Sequence, residues 1–102
     1  MPMFNYSPAN SAYSYMLRRK KSTNLLIEAA KTGTNLLSKQ IDGRLLVAFQ
    51  GYVVSALNLA SNEDGRNYLY LYNQFNLSIF SLSPYDQVVK TIEFLLDLAR
   101  KS

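Results

Sequence analysis

Apolar positions in the middle of the chain repeat with the period of an α-helix. Between Arg44 and Ala60 they recur at steps of three and four residues over four turns: Leu45, Leu46, Phe49, Tyr52, Val53, Ala56, Leu57 and Ala60. Such steps place the side chains on one face of a helix. The pattern therefore predicts an amphipathic helix over residues 44–60. Gly51 inside it weakens the helix by about 1 kcal/mol and could allow a neighbouring helix to pack closely.

The C-terminal segment, SLSPYDQVVKTIEFLLDLARKS, predicts a second helix with clear ends. Ser83 suits the N-cap, Pro84 the first helical position, and Asp86 the third. A hydroxyl can accept from the unpaired N–H groups there, and a carboxylate is favoured at the positive end of the helix dipole. Arg100 and Lys101 lie at the negative end. The predicted buried stripe consists of Val88, Val89, Ile92, Leu95, Leu96 and Ala99.

An earlier helical segment is predicted from about Ser11 to Lys39, with a weak point near Gly33 and with residues 1–10 irregular. Asn10 or Ser11 could cap its start. Its apolar positions are Met16, Leu17, Leu25, Leu26, Ala29, Ala30, Leu36 and Leu37.

Residues 66–77 have an ambiguous period. The sequence YLYLY at 68–72 alternates like a strand, whereas Tyr68, Leu71, Tyr72 and Phe75 have helical spacing. Strong helices flank this stretch and no comparable partner strand is present, so an isolated strand would leave backbone groups unpaired. We therefore expect a short third helix here, followed by SIFSLS as an extended connection.

Two polar stretches predict the remaining turns. In DGR at 42–44, Gly43 is free to adopt positive φ. In SNEDG at 61–65, Asn62 or Asp64 could cap the helix that follows. The fold class expected from these elements is all-α, with residues 1–102 forming one domain built as an antiparallel four-helix bundle.

The amino-acid composition favours a folded protein and excludes several kinds of catalytic and metal-binding site. Of 102 residues, 48% are apolar and 18% charged, which favours a folded protein. The chain has no cysteine and no histidine, which excludes disulfides, thiolate metal sites and the commonest general base. No phosphate-binding loop or dinucleotide motif is present. We therefore expect no enzymatic activity, no cofactor and no metal.

Glu93 and Asp97 are four residues apart on the last predicted helix, which is the spacing of a metal-binding or acid–base pair. Charged residues commonly occupy the solvated face opposite an apolar stripe, and that interpretation is favoured here.

The net charge is +4, and Arg18, Arg19, Lys20 and Lys21 form one basic run. This run favours an anionic partner such as nucleic acid or a phospholipid surface. Tyr6, Tyr13 and Tyr15 nearby could pair their rings with cations, although lysines extending over packed rings explain the pattern more simply. No secretory signal and no 18-residue apolar run are found, so the expected location is the cytoplasm.

Residues 66–101, RNYLYLYNQFNLSIFSLSPYDQVVKTIEFLLDLARK, resemble the class IIa (pediocin-like) bacteriocin immunity proteins. The shared pattern is a short aromatic-rich third helix, a link of the form I-x-F-[ST] and an amphipathic last helix. Ile79, Phe80 and Ser81 correspond to the link. STNLLIEAA and RLLVAFQGYVVSAL fit the first two helices more loosely.

This resemblance implies protection of a producer cell from a pore-forming peptide. Such proteins act from the cytoplasmic side, in part at the membrane, and recognise the mannose phosphotransferase receptor once it has bound the bacteriocin. By analogy, Lys90, Arg100 and Lys101 are the candidate partner-binding residues. Arg18, Arg19, Lys20 and Lys21 are the candidates for contact with an anionic surface, including the anionic membrane leaflet.

Two other functions fit the same sequence. One is a small basic helical subunit of a ribonucleoprotein or phage assembly, which needs a basic helix surface against phosphates. The other is a helical secretion chaperone, which would show a long apolar groove on the free bundle.

Overall fold

The computed structural model describes residues 20–102. Within them the chain forms four helices: α1 (Lys21–Leu36), α2 (Gly43–Asp64), α3 (Tyr68–Ile79) and α4 (Pro84–Lys101). This part of the chain contains no strand, so the all-α prediction is confirmed and the Tyr/Leu stretch is helical. The first helix does not run through Lys20 to Lys39 as predicted, because Lys20 is extended and α1 ends at Leu36. The predicted cap at Asn10 or Ser11, the residues before Lys20, and Tyr6, Tyr13 and Tyr15 lie outside the described residues.

Contacts between distant residues show that α1 and α4 are antiparallel. At the start of α1, the Thr23 Oγ1 lies 2.5 Å from the hydroxyl of Ser102, just after α4. Ten residues later, Gly33 packs against Ile92 of α4 and Phe49 of α2. A Cβ at Gly33 would lie 2.8 Å from each side chain, so the glycine permits α1 to approach both helices.

The core lies between α1, α2 and α4, with α3 closing one side through two tyrosines. Tyr68 and Tyr72 are buried, and the Phe75 ring stacks on Phe94 of α4 with centroids 4.5 Å apart. The other buried apolar side chains of this core are Leu26, Ala29, Ala30, Phe49, Val53, Ala56, Leu57, Ala60, Val88, Leu95 and Leu98.

Side-chain caps start three of the helices. Ser83 Oγ accepts from the Asp86 N–H at 3.2 Å, which confirms the predicted cap of α4. Asp42 accepts from the Leu45 N–H at the start of α2. Asn67 caps α3 through the Tyr70 N–H, so the prediction that Asn62 or Asp64 would do so is wrong. The reason is that α2 continues through Asp64.

The glycine predictions also need correction. Gly43 is the first residue of α2 and not a positive-φ turn residue, because Asp42 already caps the helix there. Gly65 takes the positive φ instead, at 68°, and ends α2. A Cβ added at Gly51 would meet no atom within 4 Å, so this glycine does not serve close helix packing.

The connection after α3 is not extended as predicted. Ile79 belongs to α3 and is buried, and the Leu82 N–H donates to the Ile79 carbonyl in a tight turn. The buried Gln87 side chain holds this turn, because its amide donates to the carbonyls of Phe80 and Leu82. These contacts satisfy backbone groups that an extended link would leave to water.

Candidate interaction surface on α2 and α3

Charge is unevenly distributed among the four helices. Two spans carry no charged residue: residues 45–62, which make up most of α2, and residues 67–85, which include all of α3. The solvated face of a helix usually carries charged side chains. These charge-free spans are therefore unusual for helices that are in large part exposed.

Several large apolar side chains of the charge-free spans reach solvent. Val47 is 65% exposed and Leu59 54% on α2, while Leu77 is 68% exposed on α3 and Phe80 after it 71%. Others with substantial exposure are Tyr52, Val54, Tyr70, Leu71, Leu82 and Tyr85. Large exposed apolar patches typically mark sites of interaction with protein or membrane. Among these side chains, Val47 and Val54 are seven residues apart and share one face of α2.

By length and composition, α2 could also cross a membrane, and it alone among the described helices meets that criterion. The core helix of a soluble protein can meet the same criterion, and the inner face of α2 does pack in the bundle core.

An open groove of about 440 Å³ runs between α2 and α3. Its lining, which defines the α2–α3 groove, consists of Val47, Gln50, Gly51, Val54, Tyr72, Asn73 and Asn76. Val47, Gly51 and Val54 follow one another at steps of four and three, so they share a face of α2. None of the lining residues is charged, and the space next to Gly51 is free.

Two polar atoms of groove-lining residues have no hydrogen-bond partner. They are the hydroxyl of Tyr72 and the Oδ1 of Asn76, both shielded from solvent. The Tyr72 ring lies 6.1 Å from that of Phe94, and burial raises the pKa of its hydroxyl. Buried polar groups in folded proteins are nearly always paired, so these two unpaired atoms are an unusual feature of α3.

The residues predicted to bind a partner lie together on the exposed side of α4. Lys90 pairs with Glu93 at 3.7 Å, and Lys101 pairs with Asp97 at 3.0 Å. Arg100 also pairs with Asp97. Hydrogen bonds from Lys101 and Arg100 hold the pKa of Asp97 below its usual value. Glu93 and Asp97 thus belong to a solvated, ion-paired face, and all three candidate bases already have carboxylate partners on their own helix.

The basic run is only partly within the described residues. Lys20 and Lys21 are exposed at the start of α1, while Arg18 and Arg19 lie outside that part of the chain. The pKa of the Asp64 carboxyl is lowered mainly by a hydrogen bond from Tyr68, and the charge of nearby Lys20 adds to this effect.

The α2–α3 groove does not follow from the apolar pattern of the sequence, although the sequence contains a signal for it. The two charge-free spans are visible in the sequence, but periodicity alone does not show which apolar positions remain uncovered. In residues 20–102, no group of three or more acidic, histidine or cysteine side chains is placed to hold a metal ion. Comparisons with protein-family models, curated proteins and solved structures return no match to this chain.

Proposed function

We propose that this chain is a non-catalytic binding protein that holds an apolar, helix-forming segment of another protein in the α2–α3 groove, as a helical secretion chaperone does. The observation that carries the proposal is the groove itself, which is lined without charge and includes the exposed apolar side chains of Val47 and Val54. A chaperone of this kind needs an open apolar surface in its free state, because it covers a partner segment that would otherwise aggregate.

The shape of the groove favours a helical segment. Two neighbouring helices with an open channel between them match the way an amphipathic helix lays its apolar face into a groove. Val47 and Val54 are two turns apart and would contact successive turns of the incoming helix, while Gly51 between them leaves room for its side chains. A charged contact face would be disfavoured, because no lining residue offers a counter-charge.

The test uses the organism that encodes the chain. Deleting the gene should reduce the amount of one or a few exported proteins in the extracellular fraction, measured by quantitative mass spectrometry. Wild-type protein should restore export, and Val47→Asp should fail to do so, because it places a charge in the groove at a position where the fold tolerates polarity. Leu96→Asp is the matched control, since Leu96 is exposed on α4, away from the groove. Unchanged export after deletion would contradict the chaperone proposal.

The second candidate function is bacteriocin immunity. The observation that favours it is the pair of elements at residues 68–79 and 84–101, a short aromatic-rich helix followed by a strongly amphipathic one, which is the order that the family resemblance requires. Protection would come from recognition of the membrane receptor with bound toxin, with Lys90, Arg100 and Lys101 on the contacting face.

Immunity is tested by expression in a bacterium sensitive to pediocin-like peptides. The inhibitory concentration of one or a few toxins should rise, and purified protein mixed with toxin outside the cell should not protect. Replacing Lys90, Arg100 and Lys101 by glutamine should weaken protection without unfolding the bundle, because exposed ion pairs contribute little stability. If well-expressed protein counters no toxin in a broad panel, this function is excluded.

A further inference from the structure

We infer that residues 1–17, which we call the N-terminal segment, occupy the α2–α3 groove of their own chain, so that a partner has to displace them. The inference adds regulation to the groove, and it rests on the proposed function only for the identity of the partner. The segment lies outside the described residues. Two observations carry the inference: the place where the chain enters α1, and the match in charge between the segment and the groove.

The chain enters α1 at the end of the bundle where α2 and α3 meet. Lys20 is extended just before α1, and the hydroxyl of Ser22 donates to Asp64, the last residue of α2, at 2.8 Å. Asp64 also accepts from Tyr68, the first residue of α3. Because residues 65–67 join α2 directly to α3, this junction lies at one end of the α2–α3 pair. The N-terminal segment is therefore attached beside the groove.

The groove is within reach of the segment. Val54 and Val47 precede Asp64 on the same helix. At a rise of about 1.5 Å per residue, they lie about 15 and 26 Å from Asp64. An extended chain spans about 3.3 Å per residue, so about eight residues cover the longer distance. Residues 1–17 are long enough to run the length of the groove.

The segment also matches the groove in charge. Residues 1–17, 45–62 and 67–85 are the three longest stretches of the sequence without a charged residue, and the last two supply the groove lining. The segment offers the rings of Phe4 and Tyr6, and the space next to Gly51 is free to receive a side chain. A charged segment would lose its hydration in a groove that offers no counter-charge.

Attachment to the same chain gives the segment an advantage over a free partner. A short linker makes binding intramolecular, with an effective concentration on the order of millimolar. A partner has to compete with that concentration, so the segment sets a threshold for binding. In the absence of a partner it covers apolar surface that would otherwise be open to unspecific association.

The test uses the absence of cysteine from the chain. A nitroxide label is attached to Asn5→Cys in the full chain, and amide signals are recorded by NMR with the label oxidised and then reduced. The signals of Val47 and Gly51 should lose most of their intensity in the oxidised state, because the label lies between the two rings placed in the groove. The signal of Leu96, on α4 and outside the groove, should keep its intensity.

Replacement of both rings tests whether they hold the segment in place. The double variant Phe4→Ser, Tyr6→Ser should restore the groove signals of the labelled chain. It should also raise binding of the uncharged apolar dye Nile red severalfold, because the groove is then open, and adding Val47→Asp should remove that gain. Tyr85→Ser is the matched control, since it removes an exposed ring that does not line the groove and should leave dye binding at the wild-type level.

The segment and the groove fail separately. If the groove signals keep their intensity, or weaken only when labelled chain is mixed with isotope-enriched unlabelled chain, the segment does not occupy its own groove. The proposed function still stands in that case if wild type binds Nile red and Val47→Asp abolishes the binding. If the signals weaken but the double serine variant neither restores them nor gains dye binding, the segment does not cover the groove and the inference is wrong. If no groove signal weakens and neither wild type nor the double variant binds the dye, the proposed function is wrong as well.

Discussion

Asp64 joins three helices through its side chain. Its Oδ1 accepts from the buried hydroxyl of Ser22 at 2.8 Å, and its Oδ2 accepts from the hydroxyl of Tyr68. Ser22 belongs to α1 and Tyr68 to α3, while Asp64 is the last residue of α2. The Tyr68 hydrogen bond, followed by that of Ser22 and by the charges of Lys20 and Arg66, lowers the pKa of Asp64 from 3.8. This junction fixes the end of the bundle at which the three helices meet.

The first prediction is that Asp64→Asn destabilises the protein by about 1–2 kcal/mol, because two hydrogen bonds lose their charged acceptor. Because the folded-state pKa of Asp64 is depressed, its contribution to stability is present above the unfolded-state value and is lost as the pH falls through the folded-state value. The difference in urea midpoint between wild type and Asp64→Asn should therefore shrink as the pH falls below about 3.8. A difference that is the same at pH 7 and pH 2.5 would show that the charge of Asp64 adds no stability.

The second prediction compares two helical glycines. Gly33→Ala should destabilise the protein by about 1–2 kcal/mol, because its Cβ would lie 2.8 Å from both Ile92 and the buried Phe49 ring. Gly51→Ala makes the same chemical change where nothing lies within 4 Å, and should stabilise by about 0.5–1 kcal/mol through helix propensity alone. Thermal or urea unfolding measures both. Equal effects of the two substitutions would mean that α1 does not pack as closely as the structure indicates.

At the scale of the secondary-structure element, capping side chains decide where α2, α3 and α4 begin. Ser83→Ala should destabilise the protein by about 1 kcal/mol, since it removes the acceptor for the Asp86 N–H. The denaturation midpoint gives the measurement, and Ser81→Ala is a suitable control because Ser81 is an exposed residue of the same turn with no capping role. An unchanged midpoint in Ser83→Ala would mean that α4 begins at another residue.

The order and type of the helices could be predicted from the sequence because each has a local signal. The apolar period of α2 and the Ser83-Pro84 start of α4 are examples of such signals. The errors arose where a distant or exposed contact decides the outcome. The turn at Phe80–Leu82 depends on Gln87, and the continuation of α2 to Asp64 is held by Ser22 and Tyr68. Local propensity carries no information about these partners.

The candidate binding residues were also predicted without knowledge of their contacts in the fold. The basic residues of α4 were chosen because charge is easy to see in a sequence, yet in the fold Lys90 and Lys101 each pair with a carboxylate of α4. The α2–α3 groove could not be located in advance, because apolar periodicity marks positions suited to burial and does not show which of them a neighbour covers. Tyr52 is a case in point, since it lies on the predicted apolar face of residues 44–60 and is nevertheless 44% exposed.

At the scale of the whole molecule, charge separates two sides of the bundle. Among residues 20–102 the charged side chains belong to α1, α4, the ends of α2 and the turns beside it, whereas residues 45–62 and 67–85 have none. A partner bound in the α2–α3 groove and an anionic partner bound at the basic run would therefore use different surfaces. Their responses to salt should differ accordingly, because salt screens charge and leaves the burial of apolar surface intact.

The final prediction concerns how the two kinds of binding respond to salt. Binding of an uncharged helical peptide should change by no more than about twofold between roughly 0.05 and 0.2 M NaCl. Binding of DNA or RNA through Arg18, Arg19, Lys20 and Lys21 would instead fall roughly a hundredfold, since each of four phosphate contacts adds about 0.9 to the logarithmic slope. We expect no appreciable binding of either nucleic acid at physiological salt in mobility-shift assays. Tight, salt-sensitive binding that is lost when these four residues are replaced by glutamine would favour the nucleic-acid-binding function, and it would leave the charge-free side of the bundle without a role in that function.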